Sequence, residues 1–323
     1  MRVPLPAAMM TTSMFDMKLI PCFPAIINQP LRLLARSTKV WGLACVMVLC
    51  GCSMVVSGYN NAPQLLMYLW IDPHLDLNKA QKKQTLTDLE NILHWHRQHQ
   101  LPQYAEVLSQ MQKLAPTHIS PTQVCDVVDQ VSDLMEDLAF QLEEPLARLA
   151  LSLTPAQLQT LRNKYLQDWR DYRKEWKLDA SAQLQLEVQT DKGQTNAERL
   201  YGRLSPAQEK LLRQLAQQSG YEGERTYAER VRLQKANLAM HESIAQTKPS
   251  LEQAKALVHA WLQNSIHTPD AAYAAYLKKR KQTNCEAAAV LHNTTTAEQR
   301  ARAVRVLKDY EDDIKALMQQ KPS

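Results

Sequence analysis

Six copies of one short pattern constrain the fold more than any other feature of the sequence. Each copy is a Ser, Thr or Asn followed three residues later by Gln; the copies are Asn78/Gln81, Ser120/Gln123, Thr154/Gln157, Ser205/Gln208, Ser250/Gln253 and Thr296/Gln299. In a capping box the first side chain accepts from the backbone N–H three residues on, and the Gln reaches back to the N-cap N–H. Each copy therefore predicts the start of a helix.

The rest of the sequence favours an all-α fold. The chain has only 7 glycines in 323 residues, and good helix formers such as Leu, Ala, Gln, Lys and Glu dominate it. Apolar residues after the boxes follow helical spacing. We predict an irregular bundle of about ten helices, near 62–70, 78–99, 102–115, 120–151, 154–190, 205–219, 224–247, 250–266, 269–292 and 296–319.

Breaks in these helices are predicted at three places. Pro145 should kink or split the fourth helix, because proline lacks the N–H that an interior position needs. Gly-containing polar stretches at 191–196 and 219–223 predict loops. The stretch 191–204 is also a candidate boundary between two helical halves of a domain that covers 52–323.

The N-terminal region resembles a bacterial lipoprotein signal. The segment Leu49-Cys-Gly-Cys52 follows an apolar run, which is preceded by Arg32, Arg36 and Lys39, and a basic region before an apolar run is typical of a secretory signal. The segment is similar to the lipobox, although Cys50 stands where Ala or Ser is usual. The resemblance implies that residues 1–51 are a cleaved signal and that Cys52 carries diacylglycerol and a further acyl chain.

Two alternatives for this region remain open. The apolar stretch 40–56 would be an uncleaved anchor near the short limit for a span. Several prolines precede Arg32, so the true start could lie at Met17. Because Ser53 rather than Asp follows the acylated cysteine, the lipoprotein resemblance implies the outer membrane, with the domain on its periplasmic face.

The charge of the chain gives no reason to expect a nucleic-acid partner. The whole chain carries +5, but residues 1–51 hold five basic side chains and one acidic side chain. The remainder is close to neutral, and a basic patch is the usual electrostatic footprint of nucleic-acid binding. The predicted partners are a membrane, through the lipid chains on Cys52, and an unidentified envelope protein or client.

Two cysteines of the domain are candidates for a disulfide. Cys125 and Cys285 are the only ones left after the signal and Cys52, and an oxidising compartment favours their pairing. Such a bond would tie early helices to late ones. Two separate buried thiols are the alternative, since free cysteine packs as a small hydrophobe.

The densest set of potential metal ligands is His94, His96 and His99. His96 and His99 are three apart and can meet on a helix, whereas His94 and His96 point about 200° apart. Zinc usually needs three or four protein ligands. A helix end with Trp95 in the core and exposed histidines around it, stopped at Pro102, explains the cluster without a metal. We expect no cofactor and no catalytic activity, since no nucleophile elbow, zinc-protease motif or phosphate loop occurs.

An aromatic stripe allows two interpretations. Tyr165, Trp169, Tyr172 and Trp176 fall on one face of the fifth predicted helix. Core packing is one explanation of the stripe, and a surface for a partner or client is the other.

Two resemblances to known families bear on function. The motif residues Tyr59, Asn60, Asn61, Trp70, Trp95, His96, Arg97, Pro102 and Tyr104 resemble an uncharacterised group of proteobacterial lipoproteins, which implies a lipid-anchored helical domain and no known activity. The segments Leu153-Thr-Pro-Ala-Gln157 and Leu204-Ser-Pro-Ala-Gln208 are similar to the Leu-Thr-x-x-Gln motif of periplasmic stress chaperones. We therefore expect a non-catalytic helical binding or scaffold protein, with a holdase chaperone, or a metal protein or enzyme that uses the histidines, as alternatives.

Overall fold

A computed structural model of the chain describes Tyr59 and residues 61–319, except for the side chain of Tyr68. The predicted signal 1–51, Cys52 and Asn60 lie outside the described residues. Helices and turns make up the described part, so the all-α prediction is confirmed. No helix in this part is both long and apolar enough to cross a bilayer.

The α-helices are numbered here in chain order. They are α1 Ala62–Leu66, α2 Asp72–Leu75, α3 Lys79–Trp95, α4 Leu101–Leu114, α5 Pro121–Gln141, α6 Glu143–Ser152, α7 Pro155–Glu175, α8 Ala182–Tyr201, α9 Pro206–Gln218, α10 Gly223–Thr247, α11 Leu251–Ile266, α12 Ala271–Asn293 and α13 Ala297–Met318. Two π-helical segments, π1 Met67–Ile71 and π2 His96–Gln100, join α1 to α2 and α3 to α4.

All six predicted capping boxes are present. In each, the N-cap side chain accepts from the N3 backbone, and the N3 Gln side chain accepts from the N-cap N–H. The boxes begin α3, α5, α7, α9, α11 and α13. The sequence pattern therefore predicted nearly half of the α-helix starts in the described chain to the residue.

The predicted loop at 191–196 is wrong. Helix α8 continues through this stretch to Tyr201 and is followed by the C-cap Gly202, whose φ of 76° suits glycine. Gly193 lies inside α8, where a Cβ atom would come 3.5 Å from Leu212 of α9, an ordinary packing distance. The glycine therefore marks a helix contact and not a turn. The predicted loop at 219–223 is confirmed as the connection between α9 and α10.

The predicted helix 154–190 is divided in two. Helix α7 ends at Glu175, Lys177 takes a left-handed φ of 50°, and Ser181 caps α8 by accepting from the Leu184 N–H. The Ser181 cap lacks a Gln three residues on, so the box pattern did not detect it. The fourth predicted helix is also divided: α5 ends at Gln141, and Pro145 falls in the first turn of α6, where proline is tolerated.

The helices pack in a nested order. Helix α8 pairs with α9, α7 with α10, α6 with α11, α5 with α12, and α4 with α13. The first helix of this series therefore packs against the last, the second against the second-last, and so on to the central pair α8–α9. Gln112 of α4 donates to Glu311 of α13 at 2.8 Å, and Arg300 near the start of α13 donates to the Pro116 carbonyl just after α4, so this pair is antiparallel.

The main core lies where early and late helices meet. It includes Leu101 and Leu108 of α4, Leu200 of α8, and Leu307 and Leu317 of α13. Burial of such side chains supplies most of the folding free energy.

The aromatic stripe of α7 packs inward. Tyr172 and Trp176 are buried, Tyr165 donates to Asn237 at 2.7 Å, and Trp169 donates to Gln234. Asn237 and Gln234 both belong to α10, the partner of α7 in the nested order. Core packing therefore explains Tyr172 and Trp176, while Tyr165 and Trp169 are partly exposed at the contact with α10.

Candidate functional site

Two of the capping-box glutamines meet in the protein interior. Gln81 at the start of α3 and Gln157 at the start of α7 are buried and exchange hydrogen bonds of 3.1 and 2.7 Å between their side-chain amides. Gln81 Nε2 also donates to the Ser152 carbonyl at 2.8 Å, and Gln157 Nε2 to the Asp76 carbonyl at 3.0 Å. Each amide nitrogen thus reaches the carbonyl two residues before the partner's N-cap. We call these residues the first glutamine pair.

The amide oxygens of the first glutamine pair also accept hydrogen bonds. Gln81 Oε1 accepts from the N–H of Asn78, and Gln157 Oε1 from the N–H of Thr154. A side-chain amide has two donor hydrogens and an oxygen with two lone pairs. All four capacities of each Gln are therefore used, which removes the penalty for burying these polar groups.

The same arrangement occurs a second time. Gln208 at the start of α9 and Gln299 at the start of α13 exchange hydrogen bonds of 2.8 and 3.0 Å. Gln208 Nε2 donates to the Thr294 carbonyl and Gln299 Nε2 to the Arg203 carbonyl, each at 3.1 Å. Thr294 and Arg203 again lie two residues before the partner's N-cap. This second glutamine pair makes four of the six boxes members of pairs.

The remaining two boxes serve only their own helices. The side chains of Gln123 and Gln253 bond the N-cap residues Ser120 and Ser250, in exposed positions. A sequence signal marks three of the four paired boxes, since buried Leu77, Leu153 and Leu204 come directly before their N-caps. The pairing could not be predicted from the boxes as independent helix starts, because hydrogen bonds between distant helices depend on tertiary structure.

The second cluster of interest surrounds the π2 segment. His96 Nδ1 lies 2.8 Å from the Tyr59 hydroxyl, which donates to the Leu93 carbonyl at 3.3 Å. The Arg97 guanidinium carbon is 5.4 Å from the centre of the Tyr59 ring, and the rings of His96 and Tyr104 are 6.0 Å apart. Four residues of the predicted family motif therefore meet at one place, which we call the π2 cluster.

The π segment explains why Pro102 does not end the helix as predicted. Proline cannot donate to the carbonyl four residues back, and its ring clashes with that carbonyl in an α-helix. In the wider π turn at 96–100 the backbone no longer follows the α-helical hydrogen-bond pattern just before Pro102. The proline is therefore accommodated, and helical structure runs without interruption from α3 into α4. Single π turns inside α-helices are frequent at functional sites.

Burial perturbs the π2 cluster. It lowers the pKa of His96 to about 4 and raises the pKa of Tyr59, because a low-dielectric environment disfavours the charged forms. Gln100, also in π2, is 1% exposed; its Nε2 donates to the Leu134 carbonyl at 2.6 Å, but its Oε1 has no hydrogen-bond partner in the described chain. The polar groups of the π2 segment are therefore less completely hydrogen-bonded than those of either glutamine pair.

Other motif residues lie elsewhere. The centres of the Trp70 and His74 rings are 4.8 Å apart in a tilted contact, and His74 Nε2 lies 3.4 Å from Asp168 of α7. Asn61 is the N-cap of α1 but makes no capping hydrogen bond with its side chain. The motif thus contributes to more than one place in the fold.

The predicted histidine ligands are not brought together. His94 and His99 are exposed, the His99 ring makes a tilted contact with Trp95 at 5.9 Å, and His96 contacts Tyr59. Trp95 is partly exposed and not the core residue that we expected. Among the described residues, no three His, Cys, Asp or Glu side chains converge as a metal ion requires.

The two candidate cysteines are joined. Cys125 of α5 and Cys285 of α12 form a disulfide with their Cα atoms 5.5 Å apart, within the range that a disulfide spans. The bond crosses the α5–α12 pair of the nested order. It therefore links parts of the chain that are 160 residues apart.

A buried arginine is another feature that the sequence pattern did not reveal. Arg280 of α12 is 3% exposed and lies 4.8 Å from the centre of the Tyr221 ring, with Nη1 3.4 Å from the Tyr276 hydroxyl. Aromatic faces attract a guanidinium cation. No sequence motif predicts this contact, because Tyr221 and Arg280 are distant in the chain.

One open cavity of about 680 Å³ lies at the turns that precede α5 and α13, and its polar lining includes His118, Asn293 and Arg300. The residues with the largest burial-driven pKa shifts, such as Tyr59 and His96, are not part of this lining. The cavity and the π2 cluster are therefore separate features.

These features define an all-helical protein in which two glutamine pairs join helix starts, the first pair buried and the second partly buried. A family model described as a family of unknown function, DUF6279, matches residues 73–271, more than half of the chain. The chain belongs to this family. The match covers the first glutamine pair and π2, and it ends before Gln299 of the second pair. No curated protein and no solved structure matches the chain.

Proposed function

We propose that this chain is a lipid-anchored, non-catalytic binding or scaffold protein of the bacterial cell envelope, held at the periplasmic face of the outer membrane by acyl chains on Cys52. The observation that carries the proposal is the segment Leu49-Cys-Gly-Cys52 after a basic and apolar stretch. Ser53, which follows the acylated cysteine, supports the outer membrane as destination.

The disulfide supports an oxidising compartment. Bonds such as Cys125–Cys285 persist outside the cytosol and are rare inside it. A thiol count on unreduced, denatured protein from the envelope should find neither cysteine free. Two free thiols would remove this support.

A binding role is supported by how the polar interior is used. The glutamine pairs join helices and present no group for chemistry, and Tyr172 and Trp176 of the aromatic stripe are buried. A large helical body with few exposed apolar side chains suits a scaffold that contacts partners through its surface.

The anchor is tested by comparing the wild type with Cys52→Ala. Mass spectrometry of the wild type should show a processed chain that begins at an acylated Cys52, and fractionation should place it with the outer membrane. The variant should accumulate as an unmodified precursor. An unchanged mass and location in the variant would show that Cys52 is not the anchor.

A holdase chaperone is the second candidate, favoured by the Leu-x-x-x-Gln segments at 153–157 and 204–208. In this chain the Leu and Gln side chains of these segments are buried, so client binding would have to use other surfaces. Purified protein should suppress the aggregation of a denatured client at near-equal concentration if the holdase hypothesis is correct. No suppression over a range of clients would exclude it.

A further inference from the structure

The cavity at the start of α13 has polar residues where the other glutamine pair has a packed apolar cluster. Helices α7 and α13 each contain the later Gln of a pair, so their residues can be compared at equal distances from the N-cap. Four residues after the N-cap, α7 carries Leu158, which is 7% exposed, whereas α13 carries Arg300, which lines the cavity. One residue before the N-cap, buried Leu153 corresponds to Thr295, which also lines the cavity. Thr295 and Arg300 are therefore not required for starting a helix of a glutamine pair.

The guanidinium of Arg300 supplies a positive charge to this cavity. Its Nε donates to the Thr295 hydroxyl at 3.1 Å, and its Nη1 and Nη2 donate to the carbonyls of Pro116 and Asn293, each at 3.4 Å. All three acceptors are neutral, and within the described chain Arg300 forms no ion pair with a carboxylate. A guanidinium has five N–H groups, so two of them remain for a further acceptor.

The charge of Arg300 is not neutralised by its surroundings. Burial lowers the pKa of His292, and the charge of Arg300 lowers it further. His292 Nε2 lies 2.9 Å from the Thr117 carbonyl, in the turn between the lining residues Pro116 and His118. No Asp or Glu is among the described residues that line the cavity. An anion in the cavity would therefore meet an uncompensated cation, and charge-assisted bonds to a guanidinium are among the stronger hydrogen bonds in proteins.

The rest of the lining suits an aliphatic group. The Asn293 side chain is already bonded to the backbone N–H and C=O of Ile119, so it offers little to a polar ligand such as a peptide. The volume of about 680 Å³ is within the range of small-molecule sites, about 300–1,000 Å³. Four residues supply apolar surface: Pro116, Ala297, Ala301 and Val304.

We propose that this cavity binds a small aliphatic carboxylate, with the Arg300 guanidinium on the carboxylate and Ala301 and Val304 against the aliphatic chain. The positive end of the α13 dipole lies at the same place, since Ala297 is the first residue of this helix. The inference rests on the proposed non-catalytic binding role, to which it gives a class of ligand. It does not depend on the anchor at Cys52.

The test titrates the purified full-length protein with isocaproate and, as the uncharged counterpart, with isocaproamide, followed by ligand-observed NMR against a protein-free blank. Isocaproate should bind saturably, and the amide at least about tenfold more weakly, because a hydrogen bond to a charged group is worth about 1.5–3 kcal/mol. Arg300→Gln should weaken isocaproate binding by about the same factor. The matched control is Arg305→Gln, which removes an exposed positive charge of α13 outside the cavity and should leave the affinity within about twofold.

A second variant keeps the test decisive if Arg300→Gln disturbs the turn. Ala301→Phe fills the cavity from an exposed position, so it should abolish binding without lowering the free energy of unfolding. Absence of saturable binding, equal binding of the amide, or an equal loss in Arg305→Gln would overturn the proposal. Tighter binding of a tripeptide with a free carboxyl end would show that the occupant is a peptide and not a small acid.

Mass spectrometry of the recovered ligand separates this inference from the proposed function. Unaltered isocaproate that does not bind would contradict only the site. Isocaproate converted to a product would contradict the non-catalytic role and this inference together.

Discussion

The first glutamine pair and the π2 segment both bury a glutamine side chain, but only the pair satisfies all of its hydrogen-bonding groups. Gln157 is 7% exposed and uses every donor and acceptor of its amide, whereas the 1% exposed Gln100 leaves Oε1 without a partner in the described chain. A buried polar group is costly unless it is hydrogen-bonded. The comparison indicates that the glutamine pairs hold the fold together, while the π2 cluster retains a polar arrangement that stability alone does not require.

The largest expected effect separates paired from exposed boxes. Gln157→Glu keeps an acceptor for the Thr154 N–H but removes both donor hydrogens, so a buried carboxylate would face the Asp76 carbonyl and the Gln81 oxygen. Leaving a buried charge uncompensated costs about 3–5 kcal/mol. Denaturant unfolding at neutral pH measures this loss.

Gln253→Glu is the matched control, because Glu serves an exposed capping box as well as Gln does. Its free energy of unfolding should stay within about 0.5 kcal/mol of the wild type. Equal losses in the two variants would show that pairing adds nothing to capping.

The next effect concerns the π2 cluster and pH. Burial lowers the pKa of His96 to about 4, while an unfolded histidine has a pKa near 6.5. Between these values the unfolded chain binds more protons, so stability falls as the pH drops from about 6.5 to 4. The contribution of His96 is on the order of 3 kcal/mol at the acid end.

Stability measured from pH 7 to 4.5 should fall less steeply in His96→Gln than in the wild type. Gln157→Ala should lower the stability but keep the wild-type slope, because the first glutamine pair contains no titratable group. An identical slope in His96→Gln would mean that the ring is not held neutral by burial. Burial also lowers the pKa of His241 to about 4, so part of the slope should remain.

A smaller effect is expected at the N-caps. Thr154 belongs to a paired box and Ser250 to an exposed one, yet both oxygens accept only from the backbone of their own helix. Thr154→Ala and Ser250→Ala should each cost about 0.5–2 kcal/mol. Thermal or chemical unfolding that shows a much larger loss at Thr154 would place the difference between boxes in the N-cap and not in the Gln.

Some of these features could be predicted from the sequence and others could not, for physical reasons. The six boxes act within three residues, so local pattern alone predicted them. The pairing of Gln81 with Gln157 joins side chains 76 residues apart, and only the packing of α3 against its neighbours creates it. The Gly-containing polar stretch 191–196 predicts a loop from local composition, but contact with α9 keeps Gly193 inside α8.

The smallest effect is expected for Gln→Met at position 100, and the same substitution at position 157 serves as the comparison. Gln100→Met replaces a partly satisfied amide by an apolar side chain of similar length, and the Leu134 carbonyl that it leaves lies within α5. The stability should change by less than about 1 kcal/mol, since only a single net hydrogen bond is lost. Gln157→Met should lower the free energy of unfolding several times more, because it leaves polar groups at the starts of two helices without their hydrogen-bond partner. Similar losses at both positions would contradict the comparison.

The central claim is that the two glutamines of a pair stabilise the fold through each other. A double-mutant cycle with Gln81→Ala, Gln157→Ala and the double variant measures this directly by chemical unfolding, with Gln123→Ala and Gln253→Ala as the control pair, whose side chains share no hydrogen bond. We predict a coupling free energy of about 1–3 kcal/mol for the first glutamine pair and additivity within about 0.5 kcal/mol for the control. Additive losses at Gln81 and Gln157 would contradict the account.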